Sequence, residues 1–142
     1  MKALEVRQVP GLGRGVFARR RIPKRTIVEV CPVIPLPFSN YQTLSKGVLG
    51  DYVFIWPGPR QKTRRFAAWT GACVVLGYGS LYNHAPDPNV FWTVRVHARE
   101  MVFWARRDIE CGEQITHDYG WASHLLQGFS HLNSGFRPDR VG

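Results

Sequence analysis

The sequence predicts a mainly β fold in which several small, curled sheets are joined by turns and short helical stretches. Short runs rich in Val, Ile, Phe and Trp recur along the chain, and prolines or glycines end many of them. Only two stretches are candidates for a short helix. The 142 residues, 44% of them hydrophobic and 13% aromatic, suit one globular domain that buries its own core.

The first predicted strands lie near the N-terminus. Residues 4–9 alternate in polarity, which predicts a strand that Pro10 ends. Residues 15–18 form a short second strand, and residues 26–31, rich in β-branched side chains, form a third. Residues 19–25, between the second and third strands, are expected to make a basic turn.

The next segment is less regular. Three prolines within residues 32–37 predict an extended, irregular stretch. Residues 39–50 are ambiguous, and a short helix is one interpretation. Residues 51–56 predict a strand, and a basic loop over residues 57–65 follows it.

The longest regular feature in the prediction is a hairpin. Residues 89–97 and 101–106 are both rich in Val, Phe and Trp, and the turn between them lies at residues 98–100. A short buried strand over residues 72–76 precedes the hairpin. The expected single domain spans residues 1–128 and ends with one or two helical turns.

Residues 129–142 are expected to form a partly disordered tail.

The expected surface is strongly basic, since the net charge is +9 and the pI about 10.1. Such a charge favours polyanions or acidic partners, although a solvated surface position is the commoner role for any single arginine.

The cysteines indicate a reducing environment. Cys31, Cys73 and Cys111 are odd in number and far apart, which excludes a complete disulfide framework and makes a zinc site unexpected. We therefore expect a cytoplasmic protein, with a nuclear or host-directed location left open. No apolar run predicts a signal peptide or a membrane span, so no membrane partner is expected.

Residues 79–89, GSLYNHAPDPN, predict a functional site. Two prolines two residues apart, with a glycine ahead of them, interrupt both the helical and the strand period. A chain that interrupts its regular structure to gather Asn, His and Asp side chains is typically building a site. Two further glycine-containing stretches stand out, GLGRGVFA at residues 11–18 and GEQITHDYG at residues 112–120.

Together these stretches, in this order, resemble the SET domain of protein lysine methyltransferases. NHAPDPN at residues 83–89 is similar to the family's Asn-His-Ser-Cys-x-Pro-Asn, and GEQITHDY at residues 112–119 to its Gly-Glu-Glu-Leu-x-x-Asp-Tyr. GRGVFA at residues 13–18 is similar to its Gly-x-Gly-(Val/Leu)-Phe-Ala. The resemblance covers roughly residues 4–121. It implies a minimal SET (β-clip-like) fold that lacks the zinc-binding segment found after some SET domains.

The resemblance also implies a knot-like feature and an activity. The segment around Tyr119 is expected to pass through a loop near Asn83, which composition would never suggest. The implied reaction transfers a methyl group from S-adenosylmethionine to the ε-amine of a lysine in a protein, without metal, and leaves S-adenosylhomocysteine. The amine must be neutral, and because the pKa of free lysine is about 10.4, a narrow apolar channel that disfavours the ammonium favours the reaction.

The resemblance assigns roles to named residues. The catalytic candidates are Tyr119, whose hydroxyl is expected near the reacting methyl and amine, and Tyr52. The expected cofactor-binding residues are Gly13, Arg14, Gly15, Tyr82, Asn83, His84 and Trp121. The expected lysine-channel residues are Tyr52, Phe54, His117 and Tyr119.

Structural roles remain alternatives for several of these residues. Tyr119 also suits a core position at the end of a strand, and Trp121 suits an anchor for the C-terminus as well as a cover over adenine or the channel. His84 is expected to be a cofactor contact and not a proton shuttle. Glycines at positions 13 and 15 permit close backbone approach and equally suit a plain β-turn.

The sequence also departs from the family pattern. Ala85-Pro86 replaces Ser-Cys, and Ser80 stands where many members have Arg. His117 occupies a position where Phe or Tyr often influences how many methyl groups are added, so the methylation state stays open.

Two expectations concern partners. A domain without a flanking recognition domain has little surface for completing a channel, which favours a symmetric homodimer. The alternative function is a non-catalytic basic module bound to nucleic acid or to a nucleic-acid-bound protein. Such a module normally interleaves exposed aromatics with Lys and Arg on one sheet, whereas the arginines here cluster in predicted turns.

Overall fold

A computed structural model of the chain describes residues 2–37, 40, 43, 44, 46–56 and 71–118. These residues are mainly strand and turn, which confirms the predicted fold class. The strands are β1 (Leu4–Val9), β2 (Gly13–Ala18), β3 (Ile27–Leu36), β4 (Val53–Trp56), β5 (Gly71–Val75), β6 (Asn83–His84), β7 (Val90–Arg95), β8 (Glu100–Ala105) and β9 (Thr116–His117). Two 3₁₀ helices span Val48–Tyr52 and Gly79–Leu81.

The strands form three sheets. β1 and β2 pair as an antiparallel hairpin, and β6 and β9 form a two-residue parallel ladder. The other strands make a five-stranded sheet in the order β4-β5-β3-β8-β7, which includes the predicted β7–β8 hairpin. The edge strand β4 consists of β-branched and aromatic apolar residues, and the other edge strand, β7, combines such residues with Thr93 and Arg95.

The core lies against one face of the five-stranded sheet, which we call the core face. Met101 and Phe103 of β8 lie on it, and both side chains are fully buried. Val16 and Ala18 of β2 belong to the same buried cluster, so the β1–β2 hairpin covers this face. Burial of each large side chain contributes roughly 1.5–3 kcal/mol to folding.

The C-terminal motif is held against β2 before it reaches β9. An isolated bridge joins Phe17 to Gln114. Three backbone hydrogen bonds flank it: Ala18 N to Glu113 O (2.9 Å), Gly112 N to Ala18 O (2.7 Å) and Ile115 N to Val16 O (2.7 Å). The first and third motifs of the sequence are therefore adjacent in space.

Strand β3 differs from the sequence prediction, because it continues through Pro32 and Pro35 to Leu36 instead of becoming irregular. Proline removes only the N–H donor, so a strand tolerates it where that donor is not needed. The carbonyl of Pro32 still accepts a hydrogen bond from Leu76 N (2.9 Å), and Pro35 keeps its register opposite Cys73.

Other strand boundaries also differ from the prediction by one or two residues, such as the end of β7 at Arg95 instead of residue 97, and some predictions are not tested. β4 begins at Val53, since residues 51–52 belong to a 3₁₀ helix, and β2 begins at Gly13 instead of residue 15. The predicted loop at residues 57–65, the helical turns after Tyr119 and the tail at residues 129–142 lie outside the described residues. None of the described helices has the length and apolar character needed to cross a bilayer.

Gly79 lies where the 3₁₀ helix before β6 packs on the core. A Cβ atom there would lie 2.7 Å from Phe103 Cε2, 2.7 Å from Val75 Cγ1 and 3.1 Å from Cys31 Sγ. Because these side chains are buried, we expect Gly79→Ala to lower the free energy of unfolding by about 1–3 kcal/mol. Chemical denaturation measures the loss.

Gly47→Ala is the matched control. Among the described residues, a Cβ atom at Gly47 would have only the Leu44 carbonyl within 4 Å, at 3.9 Å, so the effect of the substitution should stay within about 0.5 kcal/mol. Equal losses in the two variants would contradict the proposed overpacking at Gly79.

Candidate active site

The candidate site forms where β6 and β9 run side by side. The register pairs Asn83 with Thr116 and His84 with His117, and Ala85 N donates to His117 O (3.2 Å). This ladder brings the second and third motifs into direct contact. Since the third motif also lies along β2, all three motifs meet at one place.

Asn83 joins the three motifs through its side chain. Its Nδ2 group donates to the Arg14 carbonyl at 3.0 Å and to Gln114 Oε1 at 2.7 Å. Because Asn83 is buried, loss of these hydrogen bonds would leave buried polar groups without a hydrogen-bond partner, which destabilises the fold. The carboxamide therefore sets the distance between the GRG segment and the NH segment.

Gly13 and Gly15 serve this contact in two different ways. Gly13 adopts a φ of 79°, which lies in the left-handed region that glycine enters without strain. Gly15 is required by close packing, because a Cβ atom there would lie 2.6 Å from Gln114 Oε1 and 3.1 Å from Asn83 Nδ2. The turn predicted for these glycines thus occurs at Gly13, and the close packing at Gly15 is against side chains of this chain; the approach of this backbone to a cofactor stays a prediction.

Asn89 holds the other end of the second motif, a role that the sequence reasoning did not assign to it. Its side chain accepts a hydrogen bond from Thr116 N (2.9 Å) and donates to Gln114 O (2.7 Å) and Glu113 Oε1 (3.2 Å). The residue is almost completely buried. The signal was present, because Asn89 is the last residue of the NHAPDPN match.

An aromatic cluster lies directly beside this ladder. The Phe54 ring stacks on the His117 ring, with centroids 5.1 Å apart and an interplanar angle of 18°. Phe54 also meets Phe103 and Trp92 edge to face, each at 6.2 Å. Two of the predicted channel residues, Phe54 and His117, are therefore in contact within an apolar wall.

His117 is neutral at physiological pH in this environment. Burial, with a smaller contribution from nearby His84, lowers the pKa of His117 from 6.5 to about 3, and a hydrogen bond with the Asp118 backbone partly opposes this shift. His84 itself is partly exposed, with Nδ1 3.8 Å from Asp118 Oδ1. The wall beside the ladder thus carries an uncharged imidazole.

Tyr82 points away from this site into the core. Its side chain is fully buried against Phe103, with centroids 4.8 Å apart, and its hydroxyl donates to Glu29 Oε2 at 2.5 Å. Burial, together with the Glu29 charge, raises the pKa of Tyr82. Any ligand contact of Tyr82 would therefore involve its backbone, while the ring anchors β6 from inside.

Three other residues were predicted to belong to the site: Tyr52, Tyr119 and Trp121. Tyr52 lies in a 3₁₀ helix, so the strand alternation expected to align it with Phe54 does not apply, although its carbonyl accepts from Ser80 Oγ at 3.3 Å. Tyr119 and Trp121 lie outside the described residues. In the described ranges, no group of three or more His, Cys, Asp and Glu side chains is arranged to hold a metal ion.

Comparisons with known proteins point to one family. The profile of the SET domain matches residues 13–120. The chain is 30% identical over 118 residues to a histone-lysine N-methyltransferase of Schizosaccharomyces pombe described as H3 lysine-37 specific, which covers 82% of this chain and 73% of that protein. Two solved structures are also similar.

The first is a Plasmodium falciparum protein assigned as a histone methyltransferase. It is 25% identical, with a TM-score of 0.57 over 85% of this chain and 96% of that one. The second is the Neurospora SET domain protein DIM-5, a histone lysine methyltransferase, with 19% identity and a TM-score of 0.61 over 82% of this chain and 51% of that one. At that identity it supports the fold alone.

The buried imidazole predicts a pH-dependent stability. Between pH 6.5 and about 3 the unfolded chain binds a proton at His117 that the folded chain does not, so the free energy of unfolding should fall as pH falls through this window. The contribution is at most about 1.4 kcal/mol per pH unit. In His117→Phe, which keeps a ring against Phe54, this part of the slope should be absent. Denaturation curves at pH 7, 5.5 and 4.5 measure it, and equal slopes in both proteins would contradict burial of a neutral imidazole.

Proposed function

Because the chain belongs to the SET-domain family, which includes histone-lysine methyltransferases, we propose that it transfers a methyl group from S-adenosylmethionine to the ε-amine of a lysine in a protein substrate. The observation that carries this proposal is the pair of hydrogen bonds from Asn83, which joins the three motifs beside the Phe54–His117 wall. It is a site with a polar corner and an apolar side, as methyl transfer from a sulfonium to an amine requires.

The residues present suit the methyl donor. The polar corner offers backbone groups of residues 13–15 and 83–84 and the partly exposed His84, which suit the amino-acid and ribose parts of the donor. When bound, the donor would supply an electrophilic methyl group, which passes to the lysine nitrogen as the carbon–sulfur bond breaks and the thioether leaves. Among the proposed cofactor-binding residues, Trp121 would pack against adenine.

The substrate lysine would meet the aromatic wall. An apolar surface raises the free energy of an ammonium relative to a neutral amine, so Phe54 favours the reactive form. The neutral state of His117 matters for the same side of the site, because an imidazolium there would hold a second positive charge near the sulfonium and the amine. The hydroxyl of Tyr119 is proposed to act at the methyl group and the amine.

We propose that the substrate is a basic protein that sits on nucleic acid, such as a histone. The relatives named above are histone methyltransferases, and this chain carries a net charge of +9, which would repel a bare basic peptide. Two alternatives compete with it: a substrate with acidic residues around the target lysine, and a local acidic groove formed by residues such as Asp51, Asp87, Glu113 and Asp118. Glu113, one candidate for such a groove, is already paired with Arg107 at 2.5 Å.

The first test separates chemistry from cofactor binding. Tyr119→Phe should lower the turnover number by about 100-fold, the loss typical of removing one positioned donor, while the Kd for S-adenosylhomocysteine stays nearly unchanged. Asn83→Ala should raise that Kd by about tenfold, because Arg14 O and Gln114 Oε1 lose their shared donor. Calorimetry measures binding, and mass spectrometry of the substrate measures methylation.

The control is Glu110→Gln, which lies in the exposed turn before the third motif and should change neither quantity. Native turnover in Tyr119→Phe would remove the role assigned to the tyrosine. A folded sample that fails to bind S-adenosylmethionine would remove the proposal itself.

The substrate proposal predicts a salt-dependent preference. Initial rates should be higher on a basic protein bound to nucleic acid than on the same protein free, because the phosphates attract the enzyme and release counterions. The advantage should shrink between low and moderate salt. Faster methylation of the free basic protein would show that a local acidic groove outweighs the net charge.

A further inference from the structure

The five-stranded sheet has a second face, opposite the core face, which we call the outer face. The strand registers place cross-strand rows on it: Phe91, Trp104 and Ile27 in one row, and Thr93, Val102 and Val30 in the next. Phe91 is 44% exposed, Ile27 43% and Val30 38%, Trp104 is partly exposed, and Val102 in the second row is fully buried. Neighbouring Trp92 and Val94 pack on the core.

Two aromatic residues, Phe91 and Trp104, lie at the centre of this face. Phe91 and Trp104 are directly opposite each other on β7 and β8, a position that brings their side chains close together. The indole Nε1 of Trp104 donates to Thr93 Oγ1 at 2.9 Å, which fixes the plane of the larger ring. Phe91 presents its ring to solvent beside it.

Arginines stand at both ends of the outer face. At one end the Arg25 N–H donates to Ala105 O (2.9 Å), and Arg106 continues β8 two residues beyond Trp104. At the other end the Arg99 carbonyl, in the β7–β8 turn, accepts from Val33 N (2.9 Å). All three arginines are exposed, and none of them pairs with an acidic side chain of another described residue.

The backbone of two of these arginines is unusual. Arg25 and Arg99, with φ of 65° and 54°, are the non-glycine residues with positive φ in the described part of the chain. That conformation costs about 1–2 kcal/mol for most residues and nothing for glycine. Each turn would therefore form more easily with glycine, and what the arginine adds is a charged side chain at the end of the face.

The dimensions of the face distinguish between occupants. Three strands about 4.8 Å apart and five residues of about 3.4 Å give a footprint of roughly 240 Å² around the aromatic pair. A stable protein interface needs about 800 Å² on each side, so neither a second copy nor another protein is held by this patch alone. Two aromatic side chains on adjacent strands, with positive charge around them, are instead a recurrent platform for two or three stacked bases.

We propose that the outer face binds single-stranded nucleic acid, with bases stacked on Phe91 and Trp104 and phosphates near Arg25, Arg99 and Arg106. The candidate active site lies on the core face, where Phe103 contacts His117, so both ligands fit at once. This binding is independent of methyl transfer, and one can fail without the other.

The test measures fluorescence anisotropy of labelled oligothymidine and oligouridine, each about 12 nucleotides long, with the full chain. Both should bind, and similar affinities for the two would mean that the 2′-hydroxyl is not read. Phe91→Ala should weaken binding roughly 5- to 150-fold, the range for one lost base stack, with the salt dependence unchanged.

The double variant Arg25→Gly/Arg99→Gly tests the charges without harming the fold, because glycine relieves both left-handed residues. It should keep or raise the melting temperature, weaken binding at low salt, and reduce the slope of log K against log salt by about 1.4, which is 0.7 for each lost phosphate contact. The matched control is Arg20→Ala, an exposed arginine just after β2, the strand that packs on the core face. It should change the affinity less than Arg25→Gly or Arg99→Gly does when each is made alone.

Three results would overturn the proposal. The first is no binding of either oligonucleotide at low salt. The second is binding that Phe91→Ala and the double glycine variant leave unchanged, which would mean attraction by net charge alone. The third is self-association in sedimentation velocity that Phe91→Ala abolishes, which would make the outer face a protein interface. Methylation of free substrate by Phe91→Ala should match the natural chain, which keeps this test separate from that of the proposed function.

Discussion

The amide group of Asn83 donates both of its hydrogens within the chain, one to Arg14 and one to Gln114. The site depends on this pair of hydrogen bonds because its three segments come from distant parts of the sequence and share no long sheet. β6 and β9 contribute a ladder only two residues long, too little to hold them in place. The buried carboxamide of Asn83 provides the contact that the ladder lacks. It fits there because Gly15 has no Cβ atom. Asn89 repeats the same solution at the other end of the motif.

A second polar contact, on the core side, holds the segment that leads into Asn83. The half-buried carboxylate of Glu29 accepts from the Tyr82 hydroxyl and from Tyr78 N, and both donors lie within the segment that leads into Asn83. A polar network in an apolar core stabilises one arrangement strongly, because every alternative leaves a buried group without its hydrogen bond. The approach to β6 is thus held from the core side.

The two faces of the five-stranded sheet carry side chains of different chemical character. Consecutive residues of β8 point to opposite faces, so Phe103 packs toward His117 and Trp104 faces outward. One side gains a desolvated aromatic wall with a neutral imidazole. The other keeps the exposed Phe91 and the partly exposed Trp104, near arginines that pair with no acidic side chain among the described residues. The clustering of arginines in predicted turns counted against a nucleic-acid module, which stayed the alternative function. In the folded chain Arg25, Arg99 and Arg106 lie just outside the strands, at the ends of the outer face, so a position in a turn does not by itself separate an arginine from this sheet.

The sequence by itself determined the fold class, most strands and the three motifs, because these depend on local properties: strand-forming side chains, prolines, glycines and short polar runs. It misplaced the end of β3, since whether a proline disrupts a strand depends on whether a neighbour needs its N–H. It also could not distinguish the inward side chain of Tyr82 from the exposed one of Phe91, as both are aromatic residues in apolar surroundings. Only the tertiary structure decided which face each aromatic occupies, which motif atoms touch and which arginines remain without an acidic neighbour in the described residues. These outcomes arise from pairing between residues tens of positions apart, and a linear pattern carries no information about such distances.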